Sequence, residues 1–93
     1  MKGIKLFYLT HCPYCIQARK VIDDLISADS KYGDIEIEWI EESQHPDIAD
    51  QYDYYYVPTI FIGNEKVYEA HRGEQYSECY EHVKRAFDRV LEG

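Results

Sequence analysis

Cys12-Pro13-Tyr14-Cys15 stands between a short apolar run and an amphipathic segment, and this junction constrains the chain more than any other feature. Residues 4 to 9, IKLFYL, are apolar and aromatic and stop at the turn formers Thr10 and His11, which predicts a buried strand. From Pro13 onward Ile16, Val21, Ile22, Leu25 and Ile26 recur at helical spacing, with Arg19, Lys20, Asp23 and Asp24 between them. That pattern predicts a helix with proline in its first turn, ending near SADSKYGD. A strand that feeds a helix through two cysteines sets both sulfurs at the helix N-terminus. There, unpaired N–H groups and the positive end of the helix dipole favour thiolate over thiol. In Cys-X-X-Cys pairs such settings lower the thiol pKa from about 8.5 into a range of roughly 3.5 to 7.5.

Three uses of the pair compete. A structural zinc ion takes four Cys or His ligands, commonly as two spaced pairs, and the sequence has no second Cys-X-X-Cys and no His-X-X-X-His. A purely structural disulfide across one helical turn closes too small a loop to stabilise much through chain entropy. A working redox pair fits the strand-then-helix context best: Cys12, at the exposed tip, attacks, and Cys15, one turn in, resolves. Pro13 suits the first helical position, which needs no donor.

The rest of the chain reads as a small α/β unit. IEIEWI, residues 35 to 40, alternates Ile35, Ile37 and Trp39 with Glu36 and Glu38 and predicts a second strand. A short polar helix is expected after Pro46, through DIADQY. Beyond the cluster YDYYY, strands at Thr59 to Ile62 and Lys66 to Glu69 flank a Gly63-Asn64-Glu65 connection. Tyr76, Cys79, Tyr80, Val83, Ala86, Phe87, Val90 and Leu91 form a sustained apolar stripe that predicts a closing helix. The order is β-α-β-α-β-β-α, with no linker or repeat, so residues 1–93 are expected to form one domain.

Composition narrows the partners. Ten Lys and Arg against 18 Asp and Glu give a net charge of −8, which argues against nucleic acid, whose phosphates need clustered bases. The start MKGIKLFYL has no cleavage site and no long apolar stretch, so no signal peptide, no membrane association and a cytoplasmic location are expected. Three cysteines, an odd number, point to chemistry rather than a disulfide framework.

CPYC after a strand and opening a helix resembles the active site of dithiol glutaredoxins, within the thioredoxin-like superfamily. YVPTIFIGNEKV resembles that superfamily's second signature, a proline before a strand-turn-strand. The resemblance spans essentially the whole chain. It implies a thioredoxin-like α/β fold, with a central mixed four-stranded sheet flanked by helices, and a thiol–disulfide oxidoreductase activity. It also implies that Pro58 is cis and faces the cysteines, and that the Val57 backbone binds an extended substrate. Tyr14 would border the substrate groove; where the chain departs from the family, Arg72 and Gly73 are also expected to contact the substrate, Arg72 as a compensating cation. His11, next to Cys12, either stabilises the thiolate in its charged form or is an ordinary loop histidine.

A monomer with no bound cofactor and no metal is expected. Its partners would be disulfide-containing proteins, with either glutathione as co-substrate or a thioredoxin reductase supplying electrons. Leu9 and Thr10 stand where glutaredoxins usually carry a base, and VYEAHRGEQ replaces their Gly-Gly-aspartate, so the reductant stays open. A non-catalytic interaction module using the tyrosine-rich surface is the alternative. Most of Tyr52, Tyr54, Tyr55 and Tyr56 are expected to be half-buried packing residues, with some forming a rim for a partner. Arg19 is a second candidate cation, Cys79 reads as a small buried hydrophobe, and Glu41-Glu42 reads as a pair of solvated charges.

Overall fold

A computed structural model describes residues 3–92. The elements are β1 (Gly3–Tyr8), α1 (Pro13–Ala28), a 3-10 turn (Ser30–Asp34), β2 (Glu36–Glu41), α2 (Pro46–Ala49), β3 (Thr59–Ile62), β4 (Glu65–Glu69) and α3 (Tyr76–Glu92). They build a four-stranded sheet in the order β2-β1-β3-β4. β1 pairs parallel with β2, from Gly3 opposite Glu36 to Tyr8 opposite Glu41. β1 and β3 pair antiparallel, as do β3 and β4, with a register shift at Ile60/Phe61. The mixed sheet and flanking helices are those expected from the sequence.

The sheet is covered on both faces. One side packs Leu6, Val21, Ile22, Leu25, Ile60, Val83 and Phe87 into the main core beneath α1 and α3. On the other side Phe7, Ile40 and Phe61 form a smaller core, closed by Ile48, Ala49, Tyr52, Tyr54 and Val57. Each fully buried large side chain of this kind contributes roughly 1.5–3 kcal/mol of transfer free energy. Phe7 lies 5.0 Å from both the Tyr52 and Tyr54 rings, and Tyr52 packs edge-on to Phe61 at 4.8 Å.

Some local expectations shift. On α1 the buried face is Cys15, Ala18, Val21, Ile22 and Leu25, whereas Ile16 is 63% exposed and Ile26 lies at the surface. The small residues Cys15 and Ala18 let the first turns of α1 approach the sheet, which turns Ile16 outward. The helix ends as the Asp29 N–H bonds to the Leu25 carbonyl, and the Asp29 carboxylate then accepts the Lys31 N–H to start a 3-10 turn that the sequence reading did not include. That turn buries Tyr32, whose hydroxyl donates to Asp88 on α3 at 2.6 Å. α2 is a single turn rather than a helix through Tyr52, because the chain leaves it to lay Tyr52 and Tyr54 on Phe7. So short a helix has little stability of its own to oppose that packing. The β3–β4 turn is Gly63-Asn64 alone, with Gly63 at φ 59°, a left-handed conformation natural to glycine.

Candidate redox site

β1 delivers the chain to the start of α1 through Leu9, Thr10 and His11. His11 takes the left-handed conformation, φ 71°, which reverses the chain direction. Cys12 is the N-cap residue of α1, in extended conformation; its N–H bonds to the Leu9 carbonyl and its carbonyl accepts the Ile16 N–H at 2.9 Å. Its sulfur therefore sits at the helix end where first-turn N–H groups gather. Pro13 occupies the exposed first turn.

The two cysteines differ in exposure. Cys12 is partly exposed, and Cys15 is 8% exposed. Burial pushes the Cys15 thiol up to about 12; the Leu9 backbone opposes this, while a hydrogen bond to the Cys12 sulfur and the charge of Glu42 add to it. Both are free thiols. Cys12 Sγ also points across a gap of 3.9 Å to the carbonyl oxygen of Val57.

Val57 precedes Pro58 in a cis peptide bond, with Val57 half-buried and Pro58 buried. The loop leading to it is tightly held. Both the Tyr55 and Tyr56 N–H groups donate to Glu69 Oε2, at 2.6 and 2.8 Å, and Lys66 pairs with the other Glu69 oxygen at 2.7 Å. The Thr59 hydroxyl donates to the Tyr56 carbonyl, and the Ala70 N–H to the Pro58 carbonyl at 3.0 Å. Tyr52 and Tyr54 pack on the lower core, whereas Tyr55 and Tyr56 are 84% and 59% exposed.

A third segment meets the cysteine loop. The Gly73 N–H, at a residue with φ 84°, donates to the Tyr14 hydroxyl at 2.6 Å, and Gln17 Nε2 donates to the Glu74 carbonyl at 3.2 Å. The structure thus brings Cys12, Cys15, Tyr14, Val57, Pro58 and Gly73 to one end of the sheet. Arg72 is exposed beside Gly73, and among the described residues its side chain is in no ion pair. Arg19 lies with its guanidinium 4.2 Å over the Trp39 ring, beside a cavity of ≈240 Å³ that Cys15, Ile16 and Leu9 also line.

Glu41 and Glu42 are not the freely solvated charges their sequence suggests. Glu41 is 9% exposed: one oxygen accepts the Ser43 N–H and hydroxyl, the other the Thr10 N–H and hydroxyl. The Ser43 hydroxyl above all, and then the Ser43 and Thr10 groups, outweigh burial and hold its carboxyl at about 2. Glu42 is half-buried and accepts the Tyr54 hydroxyl at 2.7 Å. The Thr10–Glu41 contact spans 31 positions and arises only when β1 and β2 pair in register, so it was not legible in the sequence. Cys79 is fully buried, with the Tyr68 hydroxyl 3.5 Å away, and burial raises its thiol to about 11.

No family model matches the chain, and none of the curated proteins compared with it matches. Solved structures do. Thioredoxin 1 from the thermophilic eubacterium Thermosipho africanus TCF52B superposes with a TM-score of 0.55 at 24% identity, over 96% of this chain and 98% of that one. A malarial protein gives a TM-score of 0.59 at 14% identity, over 89% and 93% of the two chains. Human ERp44 in its zinc-bound form gives 0.55 at 16% identity over 91% of this chain, which spans only 26% of ERp44. The chain has the thioredoxin-like fold, with Cys12-Pro13-Tyr14-Cys15 at the head of α1 and cis-Pro58 facing it.

Proposed function

We propose that this protein is a thiol–disulfide oxidoreductase that reduces disulfides of other proteins through Cys12 and Cys15. The observation that supports this reading most is the asymmetry of the pair: a partly exposed Cys12 with its sulfur 3.9 Å from the Val57 carbonyl, and a buried Cys15 thiol behind it.

The Cys12 thiolate attacks one sulfur of a substrate disulfide. A Cys12–substrate S–S bond forms, the substrate S–S bond breaks, and the first substrate sulfur leaves as a thiolate. Cys15 then gives up its proton and attacks the Cys12 sulfur. The Cys12–Cys15 disulfide forms, the second substrate sulfur departs, and two electrons have passed from the dithiol to the substrate. Burial keeps Cys15 protonated until the mixed disulfide brings it into play.

Of the two reductants, we propose a thioredoxin reductase rather than glutathione. Glutathione is anionic, the cysteine loop carries Leu9 and Thr10 instead of a base, and Glu42 lies on the same side. Cys12→Ser is expected to abolish disulfide reduction, and Cys15→Ser to accumulate a mixed disulfide visible by mass spectrometry. A Cys12→Ser variant that still turns over at the parent rate would overturn the assignment. Turnover on one disulfide substrate with glutathione and its reductase, compared with thioredoxin reductase, decides the electron donor.

A further inference from the structure

We propose that the groove between α2 and the tyrosine loop receives a cationic side chain, arginine or lysine, from the protein whose disulfide is being reduced. This rests on the oxidoreductase reading above and names the substrate class it selects.

The groove, ≈400 Å³, is lined by Glu42, Asp50, Tyr52, Tyr54 and Tyr55, with Ala49 at the end of α2. One lining residue, Tyr55, lies two residues before Val57, whose carbonyl faces Cys12 Sγ. Two residues of extended chain span about 7 Å, so a side chain one or two positions from the attacked cysteine reaches it.

Its chemistry is that of a cation site. Tyrosine ring faces attract ammonium and guanidinium groups, and carboxylates add full charge. Some acidic groups elsewhere on the surface find bases among the described residues, such as Glu38 with Lys5, Glu69 with Lys66 and Glu65 with Arg89, while others, such as Asp23 and Glu36, do not; what sets this groove apart is that its carboxylates stand beside tyrosine rings. Among the described residues, Glu42 and Asp50 are in no ion pair, and no basic residue lines the groove. The Tyr54 hydroxyl donates to only one Glu42 oxygen.

The groove is also built in advance. Tyr54 stacks on Phe7 and Tyr52 packs against it at a tilt, and the backbone of Tyr55 is anchored to Glu69. Yet Tyr55 is 84% exposed and offers a partner protein a surface to cover. A fixed aromatic wall costs a partner little ordering entropy. The same groove repels the carboxylates of an anionic thiol such as glutathione, which agrees with the absence of a base before Cys12.

The test uses three disulfide peptides identical except for the residues flanking the cysteine: arginine, glutamine or glutamate. Reduction by the full chain is followed by stopped-flow, and the arginine-to-glutamate ratio of kcat/KM is read for each protein variant. The ratio is expected to reach about tenfold or more in the parent. It should shrink at least severalfold in Asp50→Asn and, independently, in Tyr55→Ser, both surface changes, and also in high salt. Reduction of all three peptides at equal rates would overturn the groove assignment while leaving the oxidoreductase reading intact. A ratio unchanged by both variants would likewise overturn it. No reduction of any peptide would overturn both.

Discussion

The Gly73 N–H donates to the Tyr14 hydroxyl at 2.6 Å, so the second of the two residues between the cysteines is tied to the turn between β4 and α3. This bond joins positions 59 residues apart in sequence.

Tyr14→Phe removes that acceptor and keeps the ring. Because Gly73 is exposed and water can replace the hydroxyl, the expected loss of stability is small, about 0.5–1 kcal/mol. Urea denaturation of the two proteins checks it. Amide exchange at Gly73 should accelerate in the variant, and unchanged protection there would count against the bond.

Glu41 should dominate the acid sensitivity of the cysteine loop. Its carboxyl is held at about 2 against an ordinary 4.5, so between those pH values the unfolded chain binds the extra proton. The stabilisation is therefore complete above about pH 4.5 and is lost as pH falls toward 2. Glu41→Gln should be less stable than the parent at pH 7, with the gap narrowing by pH 3. Denaturation curves at both pH values test this, and a constant gap would refute it.

The three thiols should react in order of exposure. Native reduced protein treated with iodoacetamide near neutral pH should be alkylated at Cys12, whereas Cys15 and Cys79, buried with thiols raised to about 12 and 11, stay unmodified. In urea all three should react. Peptide mapping that finds Cys79 modified as fast as Cys12 in the native state would contradict the packing described for α3.

Glu74 should prove structurally costly to remove. It is 3% exposed, accepts the Tyr68 hydroxyl at 2.6 Å, and has its second oxygen 3.5 Å from His82 Nδ1. Glu74→Ala leaves the buried Tyr68 hydroxyl without its acceptor and should cost about 1–3 kcal/mol. Glu74→Gln, which retains an acceptor, should recover most of this by the same denaturation assay. Equal losses in the two variants would show that the hydrogen bond is not what matters.

Local pattern was enough to read the elements near the cysteines. The apolar run before Thr10, the proline after Cys12 and the helical spacing through Leu25 are short-range signals, and β1 and α1 follow from them. The closing helix was equally legible, because Cys79, Val83, Ala86, Phe87 and Val90 all face the core. Ile16 misled for a geometric reason. Its spacing fits the stripe, but which side of a helix turns inward depends on how closely the small residues Cys15 and Ala18 let it approach the sheet.

The sequence by itself determined the element order, the place of the dithiol at a helix N-terminus and the excess of negative charge, since each depends on neighbours along the chain or on composition alone. Only the tertiary structure decided which carboxylates are buried, which tyrosines pack and which stand exposed, and what faces Cys12. Glu41 meets Thr10 across 31 positions, Cys12 meets Val57 across 45, and Glu69 clamps Tyr55 across 14. Such partners become neighbours only when strands pair in register, so residue type alone could not distinguish a solvated glutamate from one that holds the loop.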